Sequence, residues 1–177
     1  MLSISNEDRA EIHTLPAQPI RMTQNSFEVM DKYKDAVYRA ALTVTGNFAD
    51  AEDIMQDVFL QYYQSHPVFT SPSHEKAWLL RCAINAGHNL RRSAWFSRRI
   101  DADIEEFAKE AGEEASDVLA AVLSLPERYS TVVYLHYYEG YQIREIAKLT
   151  DSTEAAVGKR LSRARAKLRQ KLGGDRV

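Results

Sequence analysis

Five cations, Lys159, Arg160, Arg163, Arg165 and Lys167, crowd one stretch, Thr153-Glu-Ala-Ala-Val-Gly-Lys-Arg-Leu-Ser-Arg-Ala-Arg-Ala-Lys167. Guanidinium and ammonium groups on a helix suit phosphate oxygens and the edges of bases. A short amphipathic run, Tyr141 to Leu149, and a polar turn precede it. That order predicts a helix-turn-helix whose second helix enters the major groove of DNA. Two other groupings could do chemistry of recognition. Asn85, His88, Asn89, Arg91 and Arg92 place amide, imidazole and guanidinium groups at the end of another helical stretch. Asp53, Gln56 and Asp57 stand at i, i+3 and i+4, so they share one helix face. Nothing comparable points to catalysis. Five histidines and one cysteine show no metal-ligand spacing, and no Gly-rich phosphate loop or nucleophile elbow occurs. No enzyme activity and no cofactor are expected.

Periodicity supplies the elements that would position these groups. Phe27, Met30, Lys34, Val37, Ala41 and Val44 form one helical stripe, broken by Gly46-Asn47. Asp50, with Asp53 three residues on, reads as the N-cap of a second helix. Its apolar face is Ala51, Ile54, Met55, Val58, Phe59 and Tyr62. The stretch 65–73 holds two prolines and reads as a loop. A third helix is expected from His74 to Ser93, with Ala77, Leu80, Ile84, Gly87 and Arg91 along one edge. Pro126 opens a further helix that ends near Glu139-Gly140, and Thr153 caps the last one. Val157, Leu161, Ala164, Leu168 and Leu172 keep an apolar stripe on that last helix.

Few glycines and prolines fit an all-α fold. Net charge is only −2, yet it is unevenly spread. Residues 27–64 carry −4, 65–99 carry +5, 100–127 carry −8 and 128–177 carry +6. Two basic blocks split by an acidic connector suggest two separate nucleic-acid contacts. The start of the chain lacks the basic and apolar runs of a secretory signal, and no membrane segment is expected. A single cysteine, Cys82, cannot pair internally, which suits a reducing cytoplasm.

Three stretches carry a family resemblance. They are Asp50-Ala-Glu-Asp-Ile-Met-Gln-Asp-Val-Phe59, Ala77-Trp-Leu-Leu-Arg-Cys-Ala-Ile-Asn-Ala-Gly-His-Asn-Leu-Arg-Arg92, and the pair Glu145-Ile-Ala147 with Val157-Gly-Lys-Arg-Leu-Ser-Arg-Ala-Arg165 after Leu125-Pro-Glu-Arg128. In this order the chain resembles the extracytoplasmic-function (ECF) sigma factors, promoter-specificity subunits of bacterial RNA polymerase. The resemblance implies two small helical domains joined by an acidic linker. An N-terminal tail (1–26) precedes a unit at 27–96 that binds core polymerase and melts the minus-ten element. A linker (97–114) leads to a helix-turn-helix unit at 115–172 that reads the minus-thirty-five element.

It also implies roles. Asp53, Gln56 and Asp57 would contact the clamp coiled coil of the polymerase largest subunit. Asn85, His88, Asn89, Arg91 and Arg92 would meet the opened minus-ten DNA, with Asn85 and the loop 65–73 near its flipped base. That task calls for polar groups on base edges and cations on phosphates. Gly158, Lys159, Ser162 and Arg163 would face bases of the minus-thirty-five duplex. Thr153 caps that helix, and Arg160 and Arg165 would meet phosphate or pack. The implied partners are bacterial core RNA polymerase, promoter DNA and an anti-sigma factor.

Departures and rival readings stand beside this. Asn89 replaces a frequent aspartate, Ala156-Val-Gly-Lys-Arg160 replaces a common Thr-Val-Lys-Ser-Arg, and Asp151 stands where the turn usually has glycine. The face of Asp53, Gln56 and Asp57 could be a solvated helix surface. Trp78 could be core or a stacking platform. An autonomous helix-turn-helix regulator would explain residues 141–172, but not the acidic face or the second basic block.

Overall fold

The computed structural model describes residues 24–92, 118 and 120–172. The tail before residue 24 and the linker lie outside the described residues. Every regular element among the described residues is helical.

Helix α1 (Gln24–Thr45) ends where Gly46 turns left-handed at φ 67°, its N–H bonded back to the Leu42 carbonyl at 2.8 Å. Helix α2 (Phe48–Ser65) starts two residues later. Its N-cap is Asn47, whose side chain accepts from the Asp50 N–H at 2.9 Å. Asp50 is therefore inside the first turn, not the cap expected from its spacing to Asp53. Both residues suit the start of a helix, and the backbone break at Gly46 decided between them. His66, at φ 43°, ends α2. Helix α3 (Pro72–Arg92) begins earlier than expected, because Pro72 takes the first position and Ser71 Oγ accepts from the His74 N–H.

A helical turn at 120–123 leads to Pro126, which caps α4 (Glu127–Val133) rather than opening it. The chain continues as one π-helical turn, Tyr134–Tyr138, and Gly140 reverses it at φ 75°. Helix α5 (Ile143–Leu149) is entered through Gln142, whose backbone N–H donates to Glu145 at 2.8 Å. Asp151, at φ 46°, makes the turn into α6 (Glu154–Lys171). Aspartate tolerates that left-handed geometry where most residues would be strained. Thr153 caps α6 by accepting from the Ala156 N–H.

Helix α1 is the spine. It packs against α2 and α3 on one side and against α4 on the other. From Ala40 to Thr45 it is therefore buried all round, where the sequence pattern predicts only a stripe. Phe27, expected on that stripe, is exposed. Gly87 of α3 lies against Val44 of α1; a Cβ there would stand 2.8 Å from Val44 Cγ1. A glycine lets the two backbones approach. In the C-terminal half, Val157, Leu161, Ala164 and Leu168 of α6 are buried as the pattern predicts, with α4 and α5 against them.

Candidate polymerase and nucleic-acid interface

Asp53, Gln56 and Asp57 are all exposed on one face of α2, opposite the buried Ile54, Val58 and Phe59. Leu60 extends that face by one more turn and is 41% exposed. An apolar side chain rimmed by acids and an amide is a surface suited to a protein partner. Sequence reasoning missed Leu60 because a leucine beside an apolar stripe reads as core.

Asn85, His88, Asn89, Arg91 and Arg92 all come from the second half of α3. Arg92 donates to the Asn89 amide oxygen at 3.1 Å, so both exposed side chains form one polar patch. Arg91 is different. Its Nη1 donates to the Val44 carbonyl at 2.9 Å and its Nε pairs with Glu127 of α4 at 2.6 Å. Arg91 is engaged on two sides, by a carbonyl and a carboxylate. His88 lies 3.7 Å from the same Glu127. Burial pushes the His88 pKa down despite that carboxylate, so the imidazole is neutral near pH 7 and Glu127 is chiefly Arg91's partner.

At the other end of α3, the loop 66–71 carries Val68, which is 94% exposed. The loop is pinned by Phe69, which stacks on Tyr62 and lies 5.8 Å from the Trp78 ring. Trp78 also packs on Tyr62. It is thus part of an aromatic cluster that holds the loop, which favours packing over a free stacking platform. Tyr62 ties α2 to α3 by donating to Glu75 at 2.6 Å, and burial, with that bond, pushes its hydroxyl pKa up.

On α6, Lys159, Ser162, Arg163 and Arg165 are exposed, and Gly158 faces open space. Arg160 donates to Ser152 Oγ at 2.8 Å, which bonds α6 to the turn before it. Arg163 reaches the Tyr129 hydroxyl, so it is partly engaged within the fold. Lys159 and Ser162 are exposed polar groups in the second and third turns of α6.

A three-helix unit with an exposed acidic face and a basic terminal helix, together with a helix-turn-helix, defines a class. Residues 29–97 match the family model described as Sigma-70 region 2, and residues 115–168 match Sigma-70, region 4. The chain belongs to the sigma-70 family, in its ECF group, and is an RNA polymerase sigma factor. It is similar to the ECF RNA polymerase sigma factor SigW of Bacillus subtilis, with 27% identity over 84% of this chain and 90% of that one. RNA polymerase sigma factor SigV of the same organism is 28% identical over 75% and 81%. Among solved structures, the sigma factor RpoE in complex with the anti-sigma factor NepR from Bartonella quintana superposes with a TM-score of 0.68. That match has 19% identity and covers 87% of this chain and all of that one, a likeness of fold. Matches to both regions disfavour the autonomous regulator, which needs only the second. Among the described residues, no helix is long and apolar enough to cross a membrane.

Proposed function

We propose that the chain divides its work between a unit at 27–96, a linker at 97–114 and a unit at 115–172. The first docks on core RNA polymerase through Asp53, Gln56 and Asp57, with Leu60 as the apolar contact. It holds the opened minus-ten strand with Asn85, His88, Asn89, Arg91 and Arg92, with Val68 at the edge of that site. The second reads the minus-thirty-five duplex with Gly158, Lys159, Ser162 and Arg163, while Arg160 and Arg165 meet phosphate and Thr153 sets the helix start. The protein acts in the cytoplasm without catalysis of its own, and an anti-sigma factor restrains it. The observation that carries this reading is the segregation of the exposed acidic face on α2 from the cationic ends of α3 and α6.

Transcription in vitro with core polymerase and a promoter library tests it. Initiation at a shared two-part promoter is the expected result. Footprinting of a duplex site by the free chain, with no gain from polymerase, would overturn it.

A further inference from the structure

Ser152 stands between the two helices of the helix-turn-helix and is bonded on both sides. Its backbone N–H donates to the Ala147 carbonyl of α5 at 2.8 Å. Its hydroxyl donates to the Thr150 carbonyl at 3.2 Å and accepts from Arg160 Nη1 of α6 at 2.8 Å. A hydroxyl has one proton and two lone pairs, so the bond to Thr150 turns a lone pair toward the guanidinium. Thr150 is itself held, its hydroxyl donating to the Ile146 carbonyl at 2.8 Å. A run of hydrogen bonds thus leads from α5 through Ser152 to α6. Arg160 is half-buried there, whereas the other Lys and Arg residues of α6 are exposed.

Helix α6 is joined to its turn at two levels. Thr153 caps it by accepting from the Ala156 N–H at 3.2 Å. Arg160 joins it about 6 Å further along the axis, at about 1.5 Å per residue. One attachment fixes where a helix starts; two fix where it points. The buried stripe of Val157 and Leu161 holds α6 by apolar contact, which is non-directional and permits roll and slide that a hydrogen bond resists. Lys159, Ser162 and Arg163, at i, i+3 and i+4, share the face whose aim is set in this way.

We propose that Ser152 is a positioning residue for minus-thirty-five recognition. Through Arg160 it sets the direction in which α6 enters the groove, without meeting DNA itself. The proposal rests on the reading roles proposed above for Lys159, Ser162 and Arg163. A guanidinium has five N–H donors, so Arg160 can hold Ser152 with one and meet phosphate with others. Reading side chains must be held within about 0.5 Å and 10–20° of their productive geometry, and bonds behind them supply that hold.

Holoenzyme assembled from core polymerase and the full chain tests it, on promoters altered singly at the minus-thirty-five element. Ser152→Ala should cut discrimination between preferred and altered sequences about tenfold, the worth of one good base contact. Core binding, minus-ten preference and the salt slope of promoter binding should stay those of the parent chain. Ser152→Thr, which keeps the hydroxyl, should retain discrimination. Arg160→Met should match the loss seen with Ser152→Ala. The double variant should discriminate no worse than Arg160→Met alone, because each change breaks the same bond.

Parental discrimination by Ser152→Ala would overturn the proposal. So would a loss spread equally over every minus-thirty-five sequence, which marks only a weaker fold. A loss in Ser152→Thr equal to that in Ser152→Ala, or additive losses in the double variant, would remove the bond to Arg160 as the cause. If Ser152→Ala fails to fold, Arg160→Met carries the same test through its base preference. A parent chain indifferent to the minus-thirty-five sequence would instead discard the promoter reading, and the proposal with it.

Discussion

Gly87→Ala and Gly158→Ala are one chemical change, each within a long helix, and their surroundings give them opposite signs. Alanine is favoured over glycine within a helix by about 1 kcal/mol. At Gly158 nothing lies within 4 Å of the added Cβ, so the gain is kept and about 0.5–1 kcal/mol of stability is expected. At Gly87 the Cβ would meet Val44 Cγ1 at 2.8 Å and Val44 Cβ at 2.9 Å, and Val44 is fully buried. Forcing α1 and α3 apart costs about 2–3 kcal/mol, the upper part of the usual overpacking range because both close atoms belong to a fully buried, branched side chain, and this outweighs the helix gain. A net loss of about 1–2 kcal/mol follows. For a chain of this size 1 kcal/mol moves Tm by roughly 2–4 °C. Gly158→Ala should therefore melt slightly above the parent chain, and Gly87→Ala several degrees below it.

Guanidinium unfolding with calorimetry is the assay, and unchanged m-values would show that the denatured state is the same. Val44→Ala provides the control. That change removes the Cγ1 contact but keeps the residue-44 Cβ 2.9 Å from the added Cβ, so Gly87→Ala should do somewhat less damage, with a coupling of about 0.5 kcal/mol or more. A Gly87→Ala chain as stable as its parent, or strict additivity with Val44→Ala, would refute the contact between α1 and α3. A Gly158→Ala chain that melts lower would refute the open space on α6.

Other outcomes follow from single groups. Asp53→Ala with Gln56→Ala should weaken core polymerase binding while stability stays within about 0.5 kcal/mol, since both side chains are exposed; unchanged affinity would count against docking through α2. Lys159→Ala should alter base preference at the minus-thirty-five site, whereas Arg165→Ala should only lower the salt slope of binding; the reverse pattern would sink that division. Arg91→Ala leaves Glu127 and the Val44 carbonyl without this partner, so it should cost about 1–3 kcal/mol of stability, where Arg92→Ala costs little. Denaturant titrations of both variants distinguish them. His88 is depressed in the folded chain, so protonation favours unfolding. Stability from this group is full above its ordinary value near 6.5 and is lost as pH falls below that toward its folded value. His88→Gln should flatten the stability curve between pH 7 and 5, and an equally steep curve would assign the acid loss to other groups.

Much was legible locally. The α2 and α6 stripes, the Thr153 cap, the left-handed Asp151 and the Gly140 turn depend on residues within one or two turns of each other. The face of Asp53, Gln56 and Asp57 needs only helical spacing, and its exposure follows from the buried face opposite. Where two local signals competed, as Asn47 and Asp50 did for one cap, spacing alone chose the wrong residue.

By itself, then, the sequence determined the helices, the turn residues and the segregation of charge, because capping, periodicity and charge order are read within short stretches of chain. Only the tertiary structure decided what lies across from α1 and α3. Thr43 meets Thr131 and Arg91 meets Glu127 across dozens of residues, and no period in the sequence encodes such a meeting. For the same reason α1 is buried on both sides, although its pattern predicts one apolar stripe. Small and hydroxyl residues on its second side, Ala40 and Thr43, do not announce burial. They are buried because two faces, each modest in its apolar area, exclude water together.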